Sequence, residues 1–183
     1  MGDPKKQRKS YETPRHPWRN DQLELELRLV GEYGLRNKRE LWRYKTMLSE
    51  VRGIARSLLG ETESQRAKLE HDYLTKLNRI GILPEAASID EILDLDIRDL
   101  LERRLQTMVL RRGLAKSFHQ ARQLVSHGHI SVSGKIVSVP GYFVNRDEEQ
   151  KIKYFPHSSL AKDDHPTRRG MSTSNMQTEQ PAQ

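Results

Sequence analysis

Apolar residues recur at helical spacing along most of the chain, and the clearest run lies between residues 37 and 59. Its members step by three or four positions and therefore share one face of a helix: Leu41, Tyr44, Leu48, Val51, Ala55 and Leu58. Asn37, followed three residues later by Glu40, is typical of a helix start. The pattern predicts a long amphipathic helix that begins at Asn37 and buries this face.

A shorter pattern of the same kind precedes this helix. It predicts a helix that is capped by Asn20 or Asp21 and ends near Gly34. Three apolar residues are expected to face inward: Leu23, Leu27 and Val30.

Two further helices are predicted before residue 95. Thr62 with Gln65 is expected to start one that ends at Gly81. Its inward-facing residues are Ala67, Leu69, Tyr73, Leu77 and Ile80. After a break at proline, Ser88 with Glu91 predicts the cap of a short acidic helix.

A helix from about Ile97 to the glycine at position 113 is predicted from five apolar residues on one side: Leu100, Leu101, Leu105, Met108 and Val109. Arg104 does not fit, because continued helical spacing places it on the apolar face. We expect a carboxylate partner to compensate its burial, with three candidates nearby: Asp94, Asp96 and Asp99. An RNA contact at the helix edge is the alternative.

Residues 117–139 combine a helix with a hairpin. Ser117 is a good N-cap for a helix that stops at Gly128 and buries Phe118, Ala121, Leu124 and Val125. Strands are predicted at 129–132 and 135–139, joined by Ser133 and Gly134, and a two-residue turn favours positive φ at one or both positions. We expect the register to direct three side chains towards the helices, Ile130, Val132 and Ile136, and to leave Lys135 exposed.

Further strands at 142–144 and 151–155 complete an α+β fold, with a mainly helical N-terminal half packed on a C-terminal module of two helices and a small β-hairpin sheet. We divide the chain into a basic extended arm (1–19), a helical domain (20–100), the module (101–155) and a polar tail predicted to be disordered (156–183). Charge reverses at the module boundary: residues 85–102 carry seven acids and one base, and residues 103–122 carry six bases and no acid.

Composition favours a polyanionic partner. Lys and Arg number 32 against 25 acids, which gives a net charge of +7 and a pI near 9.7. No apolar run is long enough to cross a bilayer, so we expect no membrane association and a cytoplasmic location. The absence of cysteine excludes disulfides and cysteine-based zinc sites.

No motif for catalysis or cofactor binding occurs in the chain. There is no phosphate-binding loop, no dinucleotide fingerprint and no nucleophile elbow. His119, His127 and His129 lie close in sequence, but a structural zinc site needs four converging ligands. We expect a protein that is not an enzyme and uses no cofactor or metal.

Three groups of residues are predicted to bind RNA. The arm contributes basic and aromatic groups that can follow a phosphate backbone: Lys5, Lys6, Arg8, Lys9, Arg15, Trp18 and Arg19. The long helix carries a basic ridge, free of acids in its own stripe: Lys38, Lys45, Arg52 and Arg56. The module presents polar groups on its outer face: Arg111, Arg112, Lys116, Ser117, Gln120, Arg122, Gln123, His127, His129 and Lys135. A frayed terminus and a solvated helix flank are the alternatives for the first two groups.

The stretch "LERRLQTMVLRRGLAKSFHQARQLVSHGHISVSGKIVSVPGYFV", residues 101–144, resembles the RNA-binding module of the small-subunit ribosomal protein S-four family. Two N-terminal stretches, "GDPKKQRKSYETPRHPW" and "YGLRNKRELWRYK", resemble the archaeal type of that family. The chain departs from common patterns at Ser133, where Asn is usual, and at Gly141, where Ser is usual. The cysteine zinc knuckle of many bacterial relatives is also missing.

The resemblance implies a structural constituent of the small ribosomal subunit that binds ribosomal RNA directly and helps to nucleate assembly of the subunit body. It also implies contact with the neighbouring protein S-five, a position near the channel where messenger RNA enters, and an influence on translational accuracy. Two alternatives share the module: an RNA-modification enzyme, for which a large catalytic domain is missing here, and a stand-alone RNA chaperone or ribosome-rescue factor.

Overall fold

The computed structural model describes residues 9–84, 87–162 and 165, which form two compact units. The first unit contains residues up to Leu77 and Leu83–Leu101, and the second contains Asn78–Ile82 and the residues from Glu102 onwards. The helices are α1 (Asn20–Glu32), α2 (Lys38–Leu59), α3 (Glu63–Ile80), α4 (Ile89–Asp94), α5 (Ile97–Glu102), α6 (Leu105–Arg111), α7 (Phe118–Ser126), α8 (Arg146–Glu149) and a 3₁₀ turn (Ser159–Ala161). The strands are β1 (Ile130–Val132), β2 (Lys135–Ile136) and β3 (Ile152–Tyr154).

Helix α2 is the central element of the first unit and contacts α1 and α4. All six residues of its predicted face are buried: Leu41, Tyr44, Leu48, Val51, Ala55 and Leu58. Its start is also confirmed, because the Asn37 side chain accepts a hydrogen bond from the Glu40 amide at 3.1 Å. Ser88 and Glu91 form the predicted capping box at α4.

Helix α1 buries a different face from the predicted one. Its capping position is taken by Arg19 rather than by Asn20 or Asp21. Leu23 and Val30 are half-buried, but the predicted core residue Leu27 is 60% exposed. The fully buried residue is Glu26, at 2% exposure, and its partners from α2 explain why this polar position turns inward.

Helix α3 is buried mainly towards its C-terminal end. Leu77 is buried, and Tyr73 and Ile80 are half-buried. Ala67 and Leu69 are exposed, so the predicted inward face is wrong over its first half. The chain leaves the helix at Gly81, whose φ of +82° matches the predicted end.

The helix predicted from Ile97 to position 113 is two helices, α5 and α6, separated by Arg103 and Arg104. Arg104 is in an extended conformation (φ −75°, ψ 136°). The five predicted core residues are buried in one or other helix. Arg104 is itself buried, forms an antiparallel bridge with Phe143, and donates from Nε to the Pro140 carbonyl at 3.1 Å. Arg104 did not fit the predicted apolar face because the helix breaks there, which the spacing of the apolar residues did not reveal.

The second unit is built on one apolar core. Its buried members come from α6, α7, the sheet and the segments between them: Leu105, Met108, Val109, Ala115, Ala121, Leu124, Val125, Ile130, Val132, Val144 and Ile152. Phe118, predicted for this core, is half-buried. The sheet is antiparallel in the order β2-β1-β3, so β1 is its central strand. All three residues of β1 are buried, and β1 is the only fully buried strand among the residues described.

The hairpin turn is confirmed, with positive φ at both Ser133 (51°) and Gly134 (81°). Its register pairs Val132 with Lys135 and Ser131 with Ile136. Side chains directly opposite one another lie on the same face of a sheet. Ile136 therefore shares a face with Ser131 and is 50% exposed, so its predicted inward orientation is wrong, while Lys135 is exposed as expected.

The segment after the hairpin contains one of the two further predicted strands. Residues 152–154 form β3, but residues 142–144 contribute only the single bridge at Phe143. The start of the predicted disordered tail is also ordered, since Ser158 caps the 3₁₀ turn and Leu160 packs against the core. The remainder of that tail, except residue 165, lies outside the described residues.

Candidate nucleic-acid interface

The basic arm is attached to α2. The Glu12 amide donates to Thr46 Oγ1 at 2.9 Å, and the Tyr11 and Trp42 rings lie 6.0 Å apart. The predicted arm residues within the structure are all exposed: Lys9, Arg15, Trp18 and Arg19. Lys5, Lys6 and Arg8 lie outside the described residues.

The predicted basic ridge on α2 lies against Glu26 of α1, although the ridge itself contains no acid. Glu26 of α1 accepts from Lys45 Nζ at 2.8 Å and from Trp42 Nε1 at 3.1 Å, and Lys38 Nζ lies 3.5 Å away. Burial raises the pKa of Glu26, but the hydrogen bonds from Lys45, Gln22 and Trp42 outweigh it and hold the pKa below its usual 4.5. One carboxylate from a neighbouring helix thus partly neutralises two lysines of the ridge, which the α2 stripe alone did not indicate.

The other two cations of the ridge, Arg52 and Arg56, have different surroundings. Arg52 donates from Nη2 to the carbonyl of Leu95, the residue that ends α4, and so supports the fold. Arg56 is exposed at the end of α2. The four cations consequently do not form a continuous solvent-facing row, and their contact with RNA stays a prediction.

The loop between α6 and α7 is held by neutral side chains. Ser117 Oγ accepts from the Gln120 amide at 3.2 Å, and Gln120 Oε1 accepts from the Lys116 amide at 2.7 Å. Ser117 and Gln120, both predicted to bind RNA, thus cap the helix and shape the loop. The Lys116 side chain is left exposed beside them, and Gln123, His127 and Lys135 are exposed elsewhere in the unit.

Two arginines of the module have acidic neighbours. Arg111 Nη2 lies 2.8 Å from Glu102, and Arg112 Nη2 lies 4.0 Å from Glu149. Both pairs remain open to solvent, so each contributes little to stability. Arg122 is half-buried, and its contact with RNA stays a prediction.

Arg103 organises the second unit, and the sequence reasoning assigned it no role. Its guanidinium donates to the carbonyls of Ile80 and Val144 at 3.0 and 2.9 Å and pairs with Glu149 at 2.9 Å. A side chain at Gly81 would approach the Arg103 guanidinium to 2.7 Å. No local sequence pattern predicts these contacts, because the two carbonyls lie 23 and 41 residues away in the chain.

His127 is exposed and His129 is half-buried. The rings of His127 and His129 stack with centroids 6.3 Å apart, and His129 Nδ1 lies 2.8 Å from Ser158 Oγ. No group of three or more potential metal ligands occurs in the part of the chain that the structure describes. Within the same part, no helix is both long enough and apolar enough to span a bilayer.

Comparison with known proteins agrees with this architecture. The S4 domain family matches residues 103–149, which form most of the second unit. The chain is 50% identical over 162 residues to small ribosomal subunit protein uS4 of Hyperthermus butylicus, covering 88% of this chain and 92% of the relative. It is 51% identical over 162 residues to that of Ignicoccus hospitalis (88% and 98% covered), and 51% identical over 161 residues to that of Saccharolobus solfataricus (87% and 89%). With half of its residues shared along nearly the whole of each relative, the chain belongs to the small ribosomal subunit protein uS4 family.

Proposed function

We propose that this protein is a structural constituent of the small ribosomal subunit and binds its ribosomal RNA directly. The observation that carries the proposal is the near-complete alignment with relatives that are named as proteins of that subunit. The relatives carry the name of a ribosomal component, and the proposal therefore includes no catalytic step. The subunit location places the protein in the cytoplasm.

The geometry of the second unit supports RNA binding by shape. Structured RNA has a deep, narrow major groove, so proteins contact its phosphates and 2′-hydroxyl groups more readily than its base edges there. Exposed Lys116 and Lys135 are carried by a capped loop and a tight hairpin on one apolar core. A fixed backbone at these cations reduces the backbone freedom that is lost on binding.

The finer parts of the proposal concern the role within the subunit. We propose that the protein binds early enough to nucleate assembly of the subunit body, contacts the ribosomal protein S-five, and influences translational accuracy near the channel where messenger RNA enters. Exposed basic groups on both units support multiple RNA contacts, as nucleation requires. A stand-alone RNA chaperone or modification factor is the rival, and no observation favours it.

Sedimentation distinguishes a structural constituent of the subunit from a stand-alone factor. A structural constituent is expected to co-sediment with the small subunit through a high-salt gradient, because many contacts must break together. A loosely bound factor is released under those conditions. Recovery of the chain only in the unbound fractions, from subunits that are otherwise intact, contradicts the proposal.

Salt dependence tests the electrostatic part. With about eight phosphate contacts and roughly −0.7 per contact, a plot of log affinity against log salt is expected to have a slope near −6. Titration of isolated small-subunit ribosomal RNA at several salt concentrations measures it. A slope near zero contradicts binding through the basic groups.

A further inference from the structure

A pocket of about 320 Å³ lies in the first unit, between the arm and helices α1 and α2. Its lining includes Arg15 from the arm, Gln22 from α1, and Trp42, Lys45 and Thr46 from α2. The volume is at the lower end of the range for small-molecule sites, about 300–1,000 Å³. A single nucleotide matches that size, whereas an RNA duplex is too large to enter.

The pocket is held in shape by contacts on two sides. The arm side is fixed at Thr46, whose Oγ1 accepts from the Glu12 amide and donates to the Trp42 carbonyl, both at 2.9 Å. The inner side is fixed at Glu26, which accepts hydrogen bonds from the Trp42 and Lys45 side chains. Because both sides are tied to α2, the pocket exists before any ligand binds, and binding requires little ordering.

The chemistry of the lining favours a nucleotide. Trp42 lines the pocket, with its indole N–H bonded to Glu26 and its ring 6.0 Å from that of Tyr11. The part of the ring that lines the pocket is a π surface on which any base can stack. Arg15 is exposed and brings positive charge for a phosphate. Half-buried Lys45 adds charge that it shares with Glu26, and Glu12 is the acidic member of the lining. Gln22 donates to Glu26, and Thr46 Oγ1 is bonded to Glu12 and Trp42. The remaining acceptor positions of these two side chains are what the lining offers to a base edge or a ribose.

We infer that this pocket holds one unpaired nucleotide of RNA, with its base against Trp42 and its phosphate near Arg15 and Lys45. The inference rests on the proposed function, which supplies the RNA. It adds a site for a single-stranded nucleotide outside residues 103–149, the part that matches the S4 domain.

Tryptophan fluorescence tests the inference. The chain has two tryptophans, so Trp18→Phe leaves Trp42 as the only reporter in the full chain. A short single-stranded oligoadenylate is expected to quench this fluorescence as its base stacks. A ribose-phosphate oligomer of equal length without bases, which carries the same charge, is the control. Equal signals from the two oligomers overturn the inference, because the pocket then recognises only phosphate.

A blocking variant provides the second arm. Ser49 lines the pocket and is exposed, so Ser49→Leu fills space without changing charge. It is expected to weaken oligoadenylate binding about tenfold, within the range for loss of base stacking. Ser57→Leu, on the same helix but outside the pocket, is the matched control and leaves binding unchanged.

Titration of small-subunit ribosomal RNA separates this inference from the proposed function. If the parent chain does not bind that RNA, the proposed function fails. If the parent binds that RNA but oligoadenylate quenches Trp42 in the Trp18→Phe chain no more than the base-free oligomer does, only the pocket is wrong. If Ser49→Leu does not fold, Arg15→Gln at the exposed rim replaces it, and unchanged oligoadenylate affinity in that variant overturns the inference.

Discussion

The first and second units use their positive charges differently. On α2, Lys38 and Lys45 lie against buried Glu26, and Arg52 bonds to a backbone carbonyl. In the α6–α7 loop, the neutral side chains of Ser117 and Gln120 make the structural hydrogen bonds and leave the Lys116 side chain exposed. Similar basic stretches in a sequence can thus stabilise a fold in one place and remain available to a partner in another.

This contrast has an energetic consequence. A cation that neutralises a buried carboxylate cannot be removed without leaving that carboxylate poorly compensated. A cation held at an exposed position by a separate framework can be removed with little effect on folding. Stability should therefore respond to charge changes in the first unit, and RNA affinity should respond most cleanly in the second.

The largest effect is expected for Glu26→Gln in the first unit. It removes a carboxylate with 2% exposure that binds Lys45 and Trp42. We expect the free energy of unfolding to fall by about 2–3 kcal/mol at pH 7, discounted from a fully buried pair because both lysines reach solvent. Urea denaturation measures it. Glu24→Gln on the same helix, at an exposed position, is the control and should change stability by less than about 0.5 kcal/mol.

The pH dependence of that variant has a defined sign. The pKa of Glu26 in the folded protein is lowered from 4.5, so its stabilising contribution is complete above that pH and is lost as pH falls through the folded value. The difference between parent and Glu26→Gln should shrink on acidification below pH 4.5. A difference that stays constant down to pH 2 argues against an ionised Glu26 as its source.

Gly134→Val comes next and tests the second unit. A Cβ at this position meets no atom within 4 Å, so backbone strain at φ +81° is the main expected cost, about 2 kcal/mol. Thermal melting measures the loss, and RNA affinity should fall as the hairpin loosens. Gly134→Asn is the control, because Asn tolerates a positive φ and should melt much closer to the parent.

The two helix caps give a smaller and matched effect. Ser117→Ala and Asn37→Ala each remove a side-chain acceptor for a backbone amide, at 3.2 and 3.1 Å. Each should lower the free energy of unfolding by about 1 kcal/mol. Only Ser117→Ala is expected to weaken RNA binding, through the loop that carries Lys116. Equal losses of affinity in both variants would remove the distinction between the units.

Lys116→Ala is expected to have the smallest effect on stability, and Lys45→Ala is its counterpart in the first unit. Lys116→Ala should weaken RNA binding about fivefold, as for one charge-assisted contact, and leave the melting temperature unchanged. Lys45→Ala should lower the melting temperature as well, because Glu26 loses a partner at 2.8 Å. Parallel melting and titration measure both. A stable Lys45→Ala variant shows that Glu26 does not depend on this lysine.

Features whose partners lie within a few residues could be predicted from the amino-acid sequence. The buried face of α2, the caps at Asn37 and Ser117, and the positive φ values at the hairpin turn all follow from side-chain spacing and from backbone geometry. The motif in residues 101–144 is also local, and it was sufficient to predict the RNA-binding module.

Which charged groups are paired and which apolar groups stay exposed depends on contacts between distant parts of the chain. Glu26 turns inward and Leu27 outward because Trp42 and Lys45, 16 and 19 residues beyond Glu26, supply its hydrogen bonds. The helix breaks at Arg104 where that residue meets Pro140, 36 residues away. Helical spacing records which side chains share a face, but it does not record what another part of the chain places against that face.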